Sequence, residues 1–152
     1  MKIIKKRNEI ALINEFINIL KIEAIKKKKA KKRLSFVLTG GPSPKRLYKK
    51  MVSSRIDWSN IDLFWGDERF VSKKSINSNY KLVNDCLLKK IKINKKNIFP
   101  FKTSNIEINK AAVYYKKKIQ KYFKKGQIHF DIFLLGMGND GHIASIFPNS
   151  KE

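Results

Sequence analysis

Close to the end of the 152-residue sequence an apolar run opens into GMGNDGHIAS, residues 136–145. Asp140 and His142 stand two apart in it, with Gly141 between them. An imidazole beside a carboxylate is what a general base near neutral pH requires. The carboxylate fixes the tautomer and stabilises the cation that forms when a proton is taken. A histidine on an apolar face is commonly a core residue. This one sits in a polar, glycine-rich loop after an apolar run, so it reads as catalytic. His129, just ahead of the run, has no such setting and reads as structural or exposed.

Two further loops carry chemistry. In TGGPSPKRLY, residues 39–48, Gly40 and Gly41 permit a positive φ and close backbone approach. Ser43 suits an N-cap and Pro44 the first helical position. Free N–H groups at such a helix start suit a phosphate, or the segment is simply a tight turn with a capped helix. In WGDERF, residues 65–70, Asp67, Glu68 and Arg69 are adjacent. Arg69 can fork onto a phosphate or carboxylate, or the three form a local ion cluster. No His/Cys/Asp grouping has metal-ligand spacing, so no metal is expected. Cys86 lies in helix-like YKLVNDCLLKK and reads as a small buried apolar residue. Ser145 stands in no nucleophile elbow, and IASIF is expected to pack the chain after the loop.

The elements that must position these loops alternate. Residues 8–30 place Ile10, Ile13, Phe16, Ile17, Leu20 and Ala24 at helical spacing. LSFVLTGG (34–41) reads as a buried strand, PKRLYKKMV (44–52) as a helix, and IDLFWGDERF (61–70) as a second buried strand. A helix over 77–91, a short strand at 98–101, a helix over 106–124 and a third strong strand at 129–138 follow. The 106–124 helix is expected to turn Ile108, Ala112, Tyr115, Ile119 and Tyr122 or Phe123 inward. The pattern implies one α/β domain over 1–152, with a mainly parallel sheet flanked by helices in a Rossmann-like three-layer sandwich. Parallel strands would bring the three loops to one edge of the sheet, where ligands bind in such folds.

Composition bounds the alternatives. Apolar residues make up 42% of the chain, which is not the composition of a disordered protein. No apolar run reaches the roughly 18 residues of a membrane helix, and the N-terminus lacks the features of a secretory signal. A lone cysteine fits a reducing, cytoplasmic setting. Lys and Arg number 35 against 12 Asp and Glu, a net charge of +23. The excess is mostly lysine and accompanies abundant Ile and Asn, which share AT-rich codons. It therefore reads as compositional drift rather than as a nucleic-acid partner, for which more arginine is expected.

Taken together, TGGPSPKRLY, WGDERFVSKKSINSNY and FDIFLLGMGNDGHIASIFP resemble the 6-phosphogluconolactonase family, in order and in spacing. The first motif departs from the family's frequent Ser-Thr-Pro, with Pro42-Ser43-Pro44 in its place. The related glucosamine-6-phosphate deaminases share the Gly-Gly and Asp-Gly-His loops. They differ after the acids, where this chain has Arg69-Phe70-Val71, and after Gly141, where it continues HIASIFP.

The resemblance implies hydrolysis of 6-phosphoglucono-δ-lactone to 6-phosphogluconate, in the oxidative pentose phosphate pathway, without cofactor. It implies His142, Asp140 and Arg69 as catalytic residues. Gly40, Gly41, Ser43, Asp67, Arg69 and Gly138 are the residues expected to bind the sugar phosphate. Family members run on well beyond the position of Glu152, so the C-terminal part of the fold is expected to be missing here. A deaminase-like enzyme, an inactive remnant and a basic nucleic-acid-binding protein are the rival readings.

Overall fold

The computed structural model describes residues 3–124 and 126–150. Its first helix, α1 (Glu9–Lys29), starts where the Asn8 side chain accepts a hydrogen bond from the Ala11 N–H at 2.9 Å. It ends in Lys26–Lys29, whose charges suit the negative end of the helix dipole. Ile17, Leu20 and Ala24 form its buried stripe, whereas Ile10 is exposed.

The strands β1 (Leu34–Leu38) and β2 (Ile61–Trp65) are buried at every position. Such nearly continuous apolar runs, broken only at Ser35 and Asp62, are expected of parallel strands covered on both faces. They pair in parallel, Leu34 opposite Ile61 through Leu38 opposite Trp65. Outside them lie β3 (Ile98–Phe99) and β4 (Ile132–Phe133), giving an all-parallel sheet in the order β3-β2-β1-β4. Alternate residues face opposite layers. Phe36, Leu38, Leu63 and Trp65 join Leu20 of α1, Leu47, Tyr48 and Met51 of α2 (Lys45–Val52) and Val83 of α3 (Asn79–Cys86) in one core. On the other face Phe64 stacks on Phe99, with ring centroids 4.6 Å apart, and meets Tyr122 of α4 (Ile108–Tyr122) edge-on at 4.9 Å. Helices on both faces of a parallel sheet bear out the expected α/β sandwich.

Several elements differ from the sequence-based expectation. The strand expected at 129–138 is reduced to Ile132–Phe133, an edge strand whose one partner among the described residues is β1. Backbone bonds from Asp131 N–H to Ser35 O and from Leu134 N–H to Val37 O extend the pairing by one step each way. The helix over 77–91 stops at Cys86, and Leu88–Lys90 form a separate 3-10 turn. Cys86 is half-buried against the core rather than inside it. In α4 the inward face is Ala111 and Tyr115, while Ile108 is exposed and Ala112 faces outward. Two hydroxyls set that rotation: Tyr115 bonds the Trp65 backbone, and Tyr122 donates to Asp62 at 2.9 Å.

The end of the sheet away from the three loops is tied by partly buried polar contacts. Arg33 grips Asp62 with two bonds, at 2.7 and 2.9 Å. Asp131, at the entry to β4, accepts from the Ser35 N–H and hydroxyl at 2.8 and 2.9 Å and pairs with Lys27. Burial opposes the Asp131 carboxylate, and the bonds from Lys27 and Ser35 outweigh it, so its pKa lies below the ordinary aspartate value. Among the described residues no helix is long and apolar enough to cross a membrane.

Candidate active site

The three polar loops meet at the carboxyl ends of β1, β2 and β4. They enclose an open cleft of about 380 Å3, lined by Gly40, Gly41 and Ser43, by Asp67, Arg69 and Asn79, and by Gly138 and His142. Convergence follows from the parallel topology: strands that run the same way deliver their following loops to the same edge.

The first loop is aimed by a buried hydroxyl. Tyr48 Oη donates to the Thr39 carbonyl at 2.6 Å and accepts from the Thr39 N–H at 3.1 Å. Burial pushes the Tyr48 phenol well above its ordinary pKa. Gly41 follows with φ +84°, a left-handed conformation that favours glycine. Ser43 is not the expected N-cap. Pro44 occupies that place with helical φ and ψ, the helix proper starts at Lys45, and the exposed Ser43 belongs to the turn that lines the cleft.

The second loop leaves β2 at Trp65, whose N–H and carbonyl are both bonded by Tyr115 Oη, at 3.0 and 3.1 Å. The acids then part ways. Glu68 accepts from the backbone N–H groups of Asn79 and Tyr80 at 2.7 and 2.8 Å and from Ser78 Oγ at 3.2 Å. It therefore closes the start of α3 and is spent on structure. Asp67 lines the cleft and is held by Asn79 Nδ2 at 3.2 Å. Arg69 is exposed and, among the described residues, its guanidinium makes no hydrogen bond or ion pair, so its donors are available to the cleft.

The third loop folds on itself. Gly138 N–H bonds His142 O at 2.8 Å, and Ile143 and Ile146 exchange two backbone bonds of 3.0 and 2.9 Å. Asp140 Oδ1 lies 2.5 Å from His142 Nδ1 and also accepts from the His142 N–H at 3.2 Å. The bond from the His142 ring, supported by that from its backbone N–H, holds the Asp140 pKa below the usual aspartate value. The carboxylate is thus an acceptor, and Nε2 is the ring nitrogen left over for chemistry. Phe147 covers the ring, with centroids 5.0 Å apart. Gly138 is the floor: a Cβ there would lie 2.3 Å from His142 Nδ1 and 2.5 Å from Asp140 Oδ1.

The structure therefore brings Gly40, Gly41, Ser43, Asp67, Arg69, Gly138 and His142 to one cleft, with Asp140 directly behind His142. His129 is exposed and lies outside it. Among the described residues no cluster of three or more His, Cys, Asp or Glu is arranged to hold a metal.

Two polar residues were missed by sequence reasoning. Asn79, 4% exposed, bridges loops: its amide holds Asp67, and its Oδ1 occupies the space a Cβ on Gly40 would need, 1.8 Å away. Its place at the first position of α3, after an acidic loop, was the available signal. Ser145 was expected only to help pack the chain. It is exposed instead, and its hydroxyl donates to Asp67 Oδ2 at 3.2 Å.

Known proteins share this architecture. The family model described as glucosamine-6-phosphate isomerases/6-phosphogluconolactonase matches residues 7–152. A 6-phosphogluconolactonase from Synechocystis sp. is 35% identical over 119 residues, covering 76% of this chain and 50% of that protein. The crystal structure of 6-phosphogluconolactonase from Thermotoga maritima superposes with a TM-score of 0.79 at 32% identity, covering 90% of this chain and 60% of the other. A monomeric glucosamine-6-phosphate deaminase has the same fold, with a TM-score of 0.81 at 20% identity over 95% of this chain and 58% of its own. The chain spans about half the length of the Synechocystis relative. A family-model match over almost the whole of this sequence, joined to the shared fold, makes the chain a member of the glucosamine-6-phosphate isomerase/6-phosphogluconolactonase family.

Proposed function

We propose that the cleft hydrolyses 6-phosphoglucono-δ-lactone to 6-phosphogluconate, the lactone-opening step of the oxidative pentose phosphate pathway, in a cytoplasmic setting. The observation that carries this is the His142–Asp140 pair at 2.5 Å, set in one cleft with an uncommitted arginine and a glycine loop at a helix start. In this reading His142 Nε2 takes a proton from the water that attacks C1 of the lactone. The new C–O bond forms as the carbonyl electrons move to oxygen, where loop N–H groups stabilise the charge. The intermediate then collapses, the ring C–O bond breaks, and the imidazolium returns its proton to the departing ring oxygen. Asp140 stays ionised throughout and stabilises the cationic ring. Arg69 and the Gly41–Ser43 turn bind the phosphate, and Asp67 and Gly138 complete the sugar pocket. A δ-lactone is an activated ester, so a positioned base suffices without a covalent nucleophile.

The test is lactone hydrolysis by the purified chain against its His142→Ala variant, after subtraction of the spontaneous rate. The variant is expected to lose at least roughly 100-fold in kcat. Equal rates in the two proteins sink the reading. Release of ammonia from glucosamine 6-phosphate, with no lactone turnover, would assign the cleft to the deaminase branch instead.

A further inference from the structure

The loop that carries the base is joined to the rest of the site by very little. Its backbone bonds close within residues 138–150. Among the described residues, one hydrogen bond leaves residues 135–150 for another part of the chain: Ser145 Oγ to Asp67 Oδ2, at 3.2 Å. Asp67 is itself anchored, because its other carboxylate oxygen and its carbonyl both accept from the buried Asn79 amide at 3.2 Å. Asn79 in turn packs against Gly40 of the first loop. The four residues form a chain from the phosphate loop through the acidic loop to the base loop.

From this we infer that Ser145 is a positioning residue, which sets the His142–Asp140 pair against the substrate pocket by latching its loop onto Asp67. The latch is exposed, so water competes for it and its net effect on loop order is modest. Its effect on chemistry is larger than on binding. A loop that swings away takes the base from the attacking water and leaves Arg69 and the Gly41–Ser43 turn in place. Ala144, one residue before Ser145, has φ +55°. A residue with a Cβ rarely adopts that left-handed backbone, so the surrounding loop has to hold it.

The kinetic part of the test rests on the lactonase reading; the spectroscopic part does not. Ser145→Ala is expected to lower kcat about fivefold with KM unchanged. In the same variant the Gly138 and Ile143 amides exchange faster with solvent, and the ring resonances of His142 shift, while amides of β1 and β2 are unaffected. Ser145→Thr, which keeps the hydroxyl, restores all of these. In an Asp67→Ala background, Ser145→Ala has no further effect on exchange, as a shared bond requires. Unchanged amide exchange and unchanged His142 resonances in Ser145→Ala, or a threonine that restores neither, overturns the inference. If the unaltered chain turns over no lactone, the lactonase reading fails, and the exchange and ring measurements alone decide for or against the latch.

Discussion

The cleft has two differently built sides. The loops after β1 and β2 leave strands that are buried on both faces, and each is held at its first step by a buried tyrosine: Tyr48 at Thr39 and Tyr115 at Trp65. The loop after β4 leaves a two-residue edge strand, has no such clamp among the described residues, and exposes Leu135, Met137, Ile146 and Phe147. The proposed phosphate side is therefore rigid by construction, and the proposed base side is ordered by its own short backbone bonds and one latch. The contrast teaches where each kind of substitution will register. Damage on the first side appears as lost stability, and damage on the second as lost activity in a protein that still folds.

The largest effect is expected at Gly138. An alanine methyl there would overlap the imidazole and the Asp140 carboxylate, at 2.3 and 2.5 Å. Nothing buried needs to move, so the pair is pushed apart while the sheet is untouched. Gly138→Ala is expected to cost roughly 100-fold in kcat, with the melting temperature close to that of the parent chain. A variant of full activity would show that the pair is not poised by this glycine. The mirror experiment is Gly40→Ala, whose methyl would lie 1.8 Å from the buried Asn79 amide. That clash displaces the residue holding both acids of the second loop. Unfolding free energy is expected to fall by about 2 kcal/mol, measured by urea titration. Loss of activity without loss of stability would erase the distinction between the two sides.

The same contrast explains what could be read from the sequence. LSFVL and IDLFW were legible because burial on both faces leaves a nearly continuous apolar run, broken only at Ser35 and Asp62. FDIFLLGMG has the same appearance, yet yields only Ile132–Phe133, since pairing depends on neighbours and its apolar run does not state how many it has. The helix over 108–122 was legible as a helix with Tyr115, Ile119 and Tyr122 on its inner side, but Ile108 and Ala112 lie outward and Ala111 inward. Counting apolar residues favoured Ile108, whereas the hydroxyls of Tyr115 and Tyr122 find buried acceptors on Trp65 and Asp62. In the cleft, the residue types capable of chemistry were legible with their loops. Ser145 was not, because its bond to Asp67 joins positions 78 apart in sequence and depends on a loop path that no local pattern states. Asn79 was within reach of reasoning, as a polar residue opening a helix beside two acids.

The smallest expected effect tests the clamps themselves. Tyr48→Phe removes one hydroxyl and leaves the Thr39 N–H and carbonyl without their partner. The cost is about 1–2 kcal/mol, with the loop otherwise in place. Tyr115→Phe does the same to Trp65 and is expected to cost a similar amount. Both phenols are raised in pKa, chiefly by burial, so in the folded chain each stays neutral beyond the point at which it ionises when unfolded. The sign follows from linkage. For a raised pKa the associated stability is fully present below the unfolded value, about 10 for tyrosine, and is lost as pH rises from there towards the folded value. Thermal melting followed from pH 8 to 11 is therefore expected to fall on the alkaline side in the parent chain, and to fall less steeply in each phenylalanine variant. Superimposable slopes in all three proteins would mean that the tyrosines are not the groups being titrated. A slope carried by Tyr48 and Tyr115 would locate the rigidity of the phosphate side in two hydroxyls at the ends of two strands.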